Sequence, residues 1–218
     1  MRTIIFSDTH LTNRFDQAQF GAIVKAIATA DRVIINGDLW ASYACTFEQF
    51  LNSQWSKLFP LLKSKHAVYL YGNHDPHSKS DKRANLFSDI QADEYEFNSA
   101  KQRVHVEHGH NIISSPELKY PILQRVGLVN LGRWLSSVSI KLWGPQALIW
   151  RNTAKNQSMR QAKSTLVPSS TILVCAHSHL AEASPEKQFF NDGLIADGIL
   201  QYVVVENGMV SLYSATYP

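Results

Sequence analysis

The sequence predicts an α/β fold with a largely parallel sheet, and three observations support this. Short apolar runs typical of buried strands alternate with segments whose apolar residues have helical spacing. The order strand–helix–strand–helix–strand favours right-handed crossovers and parallel pairing. The 218 residues are 44% hydrophobic and 18% charged, which suits one domain with a sizeable core. We therefore expect residues 1–218 to form a single domain.

The first half of the chain supplies the strands and helices of this sheet. Three apolar runs predict buried strands, at Thr3–Phe6, Val33–Ile35 and Ala67–Tyr71. Phe20, Ile23, Val24 and Ile27 predict a helix after the first strand. Thr46 and Gln49 have the spacing of a capping box that opens a second helix. Its buried face would be formed by Phe50, Leu51, Leu58, Phe59 and Leu62.

The second half predicts further strands around a helical segment. Glu94–Phe97 and Arg103–Glu107 alternate like half-exposed strands, and Thr171–Cys175 is a buried strand. Residues from about 117 to 166 have a helical pattern, with breaks predicted at Gly132 and at Gly144-Pro145. The tail from Gln188 to Tyr213 predicts strands separated by Asn191-Asp192-Gly193 and by the hairpin signal Asn207-Gly208.

Composition narrows the protein class. No apolar run approaches the roughly 20 residues that span a bilayer, and the N-terminus turns polar too early for a signal peptide. The two cysteines, Cys45 and Cys175, make no disulfide framework. We therefore expect a cytoplasmic location.

Polar clusters follow the predicted strands. Each stands at a strand end: Asp8-Thr9-His10, Asp38, Asn73-His74-Asp75, His108-Gly109-His110 and His177-Ser178-His179. Ligands of open α/β sheets bind beyond the carboxyl ends of the strands, so these clusters are expected to share one crevice. Six of the nine histidines fall in them, and exposed or strand-surface roles are expected for the others, His66, His77 and His105.

The clusters have the chemistry of a transition-metal site. Residues two apart in an extended segment point to the same side, so Asp8 with His10, and His177 with His179, offer paired donors. Imidazole and carboxylate ligands suit manganese, iron, zinc or cobalt. The ligands are more than one ion needs, which favours a pair of ions sharing a bridging carboxylate. Each motif alone is also typical of a surface turn; their combination predicts the metal site.

In these motifs the sequence resembles the calcineurin-like metallophosphoesterase superfamily. The shared motifs stand here as Asp8-Thr9-His10, Gly37-Asp38, Gly72-Asn73-His74-Asp75, His108-Gly109 and Ala176-His177-Ser178-His179. The resemblance covers most of the chain, apart from the 117–166 segment. It implies two mixed β-sheets packed as a sandwich and flanked by helices, the metallophosphoesterase fold. The position and composition of the helical segment predict a cap insertion in this fold.

The resemblance also implies the role of each residue. By it, Asp8, His10 and His179 hold one metal ion, Asn73, His108 and His177 hold the other, and Asp38 bridges them. His74 faces the phosphate of the substrate as a proton donor or charge stabiliser, and Asp75 orients His74. His110 is expected to touch the substrate. Manganese is the preferred ion.

Two positions depart from the family pattern. Ala176 stands where the last motif usually has Gly, and its methyl group is expected to disturb a turn that needs positive φ. The residues after Asp38 are Leu39-Trp40-Ala41-Ser42, without the further acidic residue or Asn that the second motif often has.

The reaction expected from two ions is attack on phosphorus by a metal-bridging hydroxide, since such ions lower the pKa of water to about 7.

The 117–166 segment is expected to determine which substrate binds. Between Glu117 and Glu182 there are eight basic residues and no acidic one, and Trp134, Trp143 and Trp150 lie there too. This favours an anionic, partly apolar partner, with Arg125, Arg133 and Arg160 as expected substrate-binding residues. A similar cap occurs in the branch that cleaves UDP-2,3-diacylglucosamine. A core helix with a solvated basic face is the alternative.

Three functions remain open at the level of sequence. The first is hydrolysis of a phosphoester or pyrophosphate in a nucleotide or nucleotide–lipid. The second is a nuclease-like phosphodiesterase, in which nucleic acid binds the basic segment. The third is an inactive binding scaffold of the same fold, which the intact ligand set disfavours. The basic, tryptophan-bearing segment also suits peripheral contact with the inner, anionic membrane surface.

Overall fold

The structure is a computed structural model that describes residues 1–113, 128–144 and 146–218. Five α-helices lie in these ranges: α1 Gln17–Ile27, α2 Phe47–Leu51, α3 Phe59–Ser64, α4 Leu128–Trp143 and α5 Gln146–Leu166. The strands of the N-terminal half are β1 Arg2–Phe6, β2 Arg32–Asn36, β3 Val68–Leu70, β4 Ile90–Ala92, β5 Glu94–Ser99 and β6 Gln102–Glu107. Those of the C-terminal half are β7 Ile172–Cys175, β8 Glu182–Ser184, β9 Phe189–Asn191, β10 Ile195–Ala196, β11 Ile199–Glu206 and β12 Met209–Thr216.

The described strands form two mixed sheets. The first has the order β10-β11-β1-β2-β3-β4, with β12 also paired to β11, and the second has the order β5-β6-β7-β9-β8. Strands β1 to β4 are parallel to one another, as their right-handed crossovers predict, but β11 is antiparallel to β1. In the second sheet β6, β7 and β9 are parallel and the outer strands are antiparallel. The expectation of a largely parallel sheet therefore holds only for β1–β4 of the first sheet and for β6, β7 and β9 of the second.

The two sheets pack face to face, which confirms the predicted sandwich. Ile5, Ile34 and Val68 of the first sheet share one buried cluster with Val104 and Val174 of the second. The opposite face of the first sheet is covered by α1 to α3 in a larger apolar cluster. Strands buried on both faces need near-continuous apolar runs, and this is what β1 and β2 have.

The predicted length of the helix after Thr46 is wrong. The capping box of Thr46 and Gln49 is present, but the helix that it opens ends at Leu51. A 3₁₀ turn from Gln54 to Leu58 follows, and then α3, which has Pro60 in its first turn. Pro60 lacks the amide hydrogen that a continuous helix would need, so the chain restarts there. The apolar residues predicted for the buried face are nevertheless buried.

The basic segment contains a helical hairpin, α4 and α5. The predicted break at Gly132 is wrong, because α4 runs through it. The predicted break at Gly144 is confirmed by its φ of +60° between the two helices. Ile140 of α4 and Leu148 of α5 pack against Leu194 and Ile199 of the body. Residues 117–127 of the predicted segment lie outside the described residues.

None of the helices in the described part of the chain has the length and hydrophobicity that crossing a membrane requires.

The hairpin predicted at Asn207-Gly208 is confirmed: both residues have positive φ, and Glu206 of β11 faces Met209 of β12. β11 also pairs with β1, the strand that leads to Asp8.

Candidate metal centre

Five strand ends deliver their polar side chains to one crevice, as the sequence predicts. These strands are β1, β2 and β3 of the first sheet and β6 and β7 of the second. Because both sheets present carboxyl ends at the same edge of the sandwich, side chains far apart in sequence become neighbours. The structure brings together Asp8, His10, Asp38, Asn73, His74, His108, His110, His177 and His179.

Five of these residues have left-handed backbone. Asp8, His10, Asp38, His177 and His179 all have φ between +46° and +63°. This conformation is uncommon for residues other than Gly, and it persists only where the surroundings enforce it. Such backbone strain concentrates at functional sites, which supports this crevice as the site.

One group of ligand atoms has the spacing of a metal site. His179 Nε2 lies 3.1 Å from Asp8 Oδ1, and His10 Nε2 lies 3.5 Å from the same oxygen. The two imidazole nitrogens are 3.2 Å apart. Ligand atoms about 2.1 Å from a tetrahedral ion are roughly 3.4 Å from one another. The triad therefore fits a transition-metal ion without rearrangement.

Asp38 stands between this triad and a second group. Its Oδ2 lies 3.9 Å from His10 Nε2 and 3.4 Å from His108 Nε2, while His108 Nε2 lies 3.2 Å from Asn73 Oδ1. The His177 ring packs edge-on against His108, with ring centroids 5.3 Å apart. Asp38 Oδ2 and His177 Nε2 are buried and form no hydrogen bond within the described residues. A buried carboxylate oxygen without a donor is costly, and a cation at this position would offset that cost.

The electrostatics suit a cation site. Burial alone would raise the pKa of Asp38, but the adjacent charges of His108 and His74 hold it below its usual range. Asp38, together with Asp8, raises the pKa of His108 to about 10 against the effect of burial. Burial lowers the pKa of His177 to about 3 and that of His110 to about 4, and the His108 charge acts in the same direction. His177 and His110 are therefore neutral at physiological pH, with a lone pair to offer.

Asp75 holds the turns that carry Asp38 and His74. Its buried carboxylate accepts hydrogen bonds from the backbone amides of Gly72 at 2.7 Å, Asp38 at 2.9 Å and Leu39 at 2.7 Å. These bonds give Asp75 a positioning role toward the backbone. Its predicted orientation of the His74 ring stays a prediction.

Two glycines make this packing possible. A Cβ at Gly37, where φ is +83°, would lie 2.5 Å from the ring of His108. A Cβ at Gly72 would lie 2.6 Å from the backbone nitrogen of Asp38 and would overlap its carboxylate. The Gly residues of these two motifs are therefore required by space.

His74 lies at the mouth of the centre. Its amide donates to Asp38 Oδ1 at 2.8 Å, and its half-buried ring is 5.1 Å from the ring of His10 and 4.8 Å from that of Tyr43. A ligand atom of His74 also lies within 4.8 Å of those of His10 and Asp38. The ring is thus placed to act on a substrate or to bind a metal ion.

The expected disturbance at Ala176 does not occur. Positive φ falls on His177 and His179 and not on Ala176. The Ala176 side chain is fully buried, and its amide donates to the carbonyl of His108 at 3.1 Å. The methyl group is accommodated because the strained positions are the histidines themselves.

Asp192 is a site residue that sequence reasoning missed. Ser7 Oγ lies 2.7 Å from Asp8 Oδ2 and 2.5 Å from Asp192 Oδ1. Burial raises the pKa of Asp192 to about 8, and the Asp8 charge acts in the same direction. A protonated Asp192 can donate to Ser7, which then donates its single proton to Asp8. Asp192 directly follows β9, so the rule that identified the other clusters applies to it as well.

The predicted substrate-binding arginines have different outcomes. Arg125 lies outside the described residues. Arg133 lies on α4, but the structure does not describe its side chain. Arg160 pairs with Glu182, which offsets part of its charge, and its contact with a substrate stays a prediction. Lys155 was missed. It lies half-buried on α5, and its charge contributes to the lowered pKa of His177.

Comparisons with known proteins complete the description of the site. Residues 1–202 match the family model of calcineurin-like phosphoesterases. A search of curated proteins found no match. Two solved structures resemble the fold over nearly the whole of both chains. YfcE, a phosphoesterase from E. coli, is 16% identical, with 100% of each chain covered and a TM-score of 0.53. Wild-type Vps29 from Entamoeba histolytica, complexed with Zn²⁺, is 13% identical, with 99% of each chain covered and a TM-score of 0.51.

Proposed function

We propose that this chain, which belongs to the calcineurin-like phosphoesterase family, hydrolyses a phosphoester or pyrophosphate bond with the help of two divalent metal ions. Family membership makes the chain a metallophosphoesterase, a hydrolase of phosphoester bonds. The observation that carries the two-ion proposal is the position of Asp38. Its Oδ2 is buried without a hydrogen-bond donor among the described residues and faces both His10 and His108. One carboxylate oxygen between two sets of ligands is the arrangement that a pair of ions needs.

The residues present fit both ions. Asp8, His10 and His179 would hold one, Asn73, His108 and His177 the other, and Asp38 would be shared. This mixture of imidazole, carboxylate and amide ligands favours manganese, with iron, zinc or cobalt as alternatives. When bound, such ions stabilise charge on phosphoryl oxygens and lower the pKa of coordinated water.

The reaction needs a group on the leaving side of the phosphorus. His74 is half-buried beside the two ligand groups, where its ring reaches a phosphate held at the crevice. In this position it donates a proton to the leaving oxygen or stabilises its charge. Asp75 supports this action by fixing the backbone of the Gly72 turn, which sets where His74 begins.

Lys155 supports a substrate with more than one phosphate. It precedes Asn156 on α5, which bonds to the His177–His179 loop through Ser178 Oγ and the Leu180 carbonyl, and its charge acts on His177. A lysine there places a positive charge beside the metal-binding loop without blocking it. A nucleotide or a nucleotide–lipid with a pyrophosphate would present its second phosphate to this charge.

The outer face of the helical hairpin supports an amphiphilic context for that substrate. On α4 the large residues Leu131, Leu135 and Leu142 are exposed, while Ile140 on the opposite side is buried against the body. All three tryptophans of the segment are exposed, at 60% for Trp134, 57% for Trp143 and 70% for Trp150, and basic residues accompany them without acidic ones. Aromatic residues and lysines are enriched at membrane interfaces.

We therefore propose that this hairpin face contacts the anionic inner surface of a membrane from the cytoplasm. Each basic residue near anionic lipid contributes about 1 kcal/mol. The protein should sediment with vesicles that contain phosphatidylserine and not with phosphatidylcholine vesicles. Replacing Trp134 and Trp150 together with Ser should reduce this binding at least tenfold. Equal sedimentation of the two proteins, or none with either vesicle, would contradict the contact.

Two alternative functions, cleavage of nucleic acid and an inactive binding scaffold, would give different experimental results from the proposed hydrolase. Nucleic acid on the basic segment would make the activity fall steeply with salt, because counterions are released on binding. An inactive scaffold would bind metal without turnover. The complete ligand set with its strained backbone disfavours the scaffold.

The experiment that tests the proposal is a substrate screen with the manganese-loaded protein. Aryl phosphomonoesters, phosphodiesters and nucleotide pyrophosphates with and without an acyl chain would be compared. Lys155→Ala should lower kcat/KM on the pyrophosphate roughly ten- to a hundredfold, the effect of losing one hydrogen bond to a charged group. Its effect on the small aryl ester should be smaller. Lys187→Ala, which removes one exposed charge elsewhere, is the control. Equal effects of the two variants would exclude this role of Lys155.

A further inference from the structure

The outer face of the β5–β6 hairpin carries a second group of ionisable side chains. In the register of these antiparallel strands Glu94 lies directly opposite Glu107, and Glu96 lies opposite His105. Val104 and Val106 point into the core of the sandwich, so His105 and Glu107 project from the other face. Like charges directly opposite one another destabilise a sheet. A cation bound between Glu94 and Glu107 would therefore offset their mutual repulsion.

We propose that Glu94, His105 and Glu107 bind a divalent cation of the Zn²⁺ class, at a site separate from the metal centre in the crevice. A ligand atom of each residue lies within 4.8 Å of those of the other two. His105 Nε2 and Glu94 Oε2 are 3.6 Å apart. Two ligand atoms about 2.1 Å from a tetrahedral ion are roughly 3.4 Å apart, so this separation already matches. One imidazole and two carboxylates leave a fourth position for water.

Glu107 provides an independent sign of a missing partner. Glu107 is only 8% exposed. Its Oε1 accepts no hydrogen bond from the described part of the chain. Buried carboxylates are normally paired or coordinate metals. Because the Glu107 carboxylate lies in the same group of ligands as His105 and Glu94, a cation bound there would offer it a partner.

The tautomer of His105 is set by a further carboxylate. His105 Nδ1 lies 3.1 Å from Glu96 Oε1, and Glu96 is in turn bonded by Arg103 through Nε at 3.1 Å. Nδ1 therefore donates to Glu96, which leaves the lone pair of Nε2 for a metal ion. This carboxylate–histidine arrangement is the usual support of a zinc-binding imidazole. The sequence predicts only a strand-surface role for His105, because its partners come from the neighbouring strand.

The site would act as a clamp within the second sheet. It joins the edge strand β5 to the end of β6, and the residue after Glu107 is His108 of the metal centre. An ion bound here would hold the strand end that presents His108. Its role is structural, and it does not depend on the proposed hydrolytic function.

The test is the zinc stoichiometry of the whole protein. Wild-type protein and two variants, Glu94→Gln and His105→Gln, would be equilibrated at micromolar free Zn²⁺ and analysed for bound metal. We expect the wild type to bind one more ion per chain than either variant, and zinc to raise its Tm more. Glu186→Gln, which changes an exposed glutamate elsewhere, should behave as the wild type.

Activity with saturating manganese separates this site from the crevice. The side chain of Glu94 is 67% exposed, so Glu94→Gln should fold and should keep its phosphoesterase activity. Equal zinc content in the wild type and Glu94→Gln would overturn the proposal and leave the group as a cluster of ion pairs. One zinc ion fewer in the double variant Asp38→Ala/Glu94→Gln than in Asp38→Ala alone would support it independently.

Discussion

The replacement Asp75→Asn tests whether a carboxylate that touches no proposed ligand atom shapes the metal centre. Asp75 accepts hydrogen bonds from three backbone amides, those of Gly72, Asp38 and Leu39. Asparagine has the same shape but one acceptor oxygen, and its amide group would face at least one backbone N–H. The variant therefore loses a hydrogen bond to a charged group, worth about 1.5–3 kcal/mol, and leaves a buried donor unpaired, at about 1–3 kcal/mol.

Part of this cost is offset. Burial, together with the nearby Asp38 charge, raises the pKa of Asp75 to about 7, so a neutral amide avoids some desolvation that the carboxylate incurs. We expect the variant to lose about 2–4 kcal/mol of unfolding free energy in the chelated protein. Urea unfolding followed by tryptophan fluorescence measures this, with an unchanged m-value as the sign of an intact native state.

The matched control is Asp16→Asn. Asp16 caps α1 by accepting from the amides of Ala18 and Gln19 at 2.8 and 3.0 Å on the surface. Asparagine caps a helix about as well as aspartate, so this variant should stay within about 0.5 kcal/mol of the wild type. If both variants unfolded at the same urea concentration, the buried amide contacts of Asp75 would contribute little, and the reasoning would be refuted.

Three further predictions concern the metal centre. Asp38→Ala should lower both manganese content and turnover, whereas His74→Ala should retain manganese while turnover falls on the order of 10²–10⁴-fold; an empty centre in His74→Ala would make His74 a ligand. Manganese binding should release a proton from His108, whose pKa is raised to about 10 in the metal-free protein. Affinity should therefore increase with pH, and calorimetry in buffers of different ionisation enthalpy would detect this; no release would contradict the protonated ring. Gly72→Ala should displace the Asp38 carboxylate and reduce metal content, and normal content would show that the turn can shift.

Much of the site could be predicted because it depends on a local rule. Parallel strands that share an edge deliver their following residues to one place, so Asp8, Asp38 and His108 could be grouped before any contact was known. Burial of the strands is also local, since continuous apolar runs are sufficient to indicate it. The sandwich itself did not follow from these patterns, because the pairing of β11 with β1 joins the two ends of the chain.

The contacts that could not be predicted depend on distant partners. Arg160 is predicted to contact the substrate, and its ion pair with Glu182 forms after a chain reversal that the sequence spacing does not show. Asp192 stood within a predicted turn, and only the structure places it against Ser7 and Asn36. Pro60 was visible in the sequence, and its effect on the helix after Thr46 follows from its missing amide hydrogen.

The strained backbone of the metal centre explains why such distant residues matter. Left-handed φ at Asp8 and Asp38 costs of order 1–3 kcal/mol at each position unless neighbouring groups enforce it. Asp38 is held by Asp75 through its own amide. The Asp8 amide donates to the carbonyl of Gly37 at 3.2 Å, and the Asp8 carboxylate accepts from Ser7, which also contacts Asp192. Asp75 therefore stabilises the strained backbone of Asp38, and Asp192 helps to fix the Asp8 carboxylate through Ser7. It follows that metal affinity, measured by calorimetry, should fall when Asp192 is replaced by Ala, which removes the contacts with Ser7 and Asn36, although no atom of Asp192 is proposed to touch an ion.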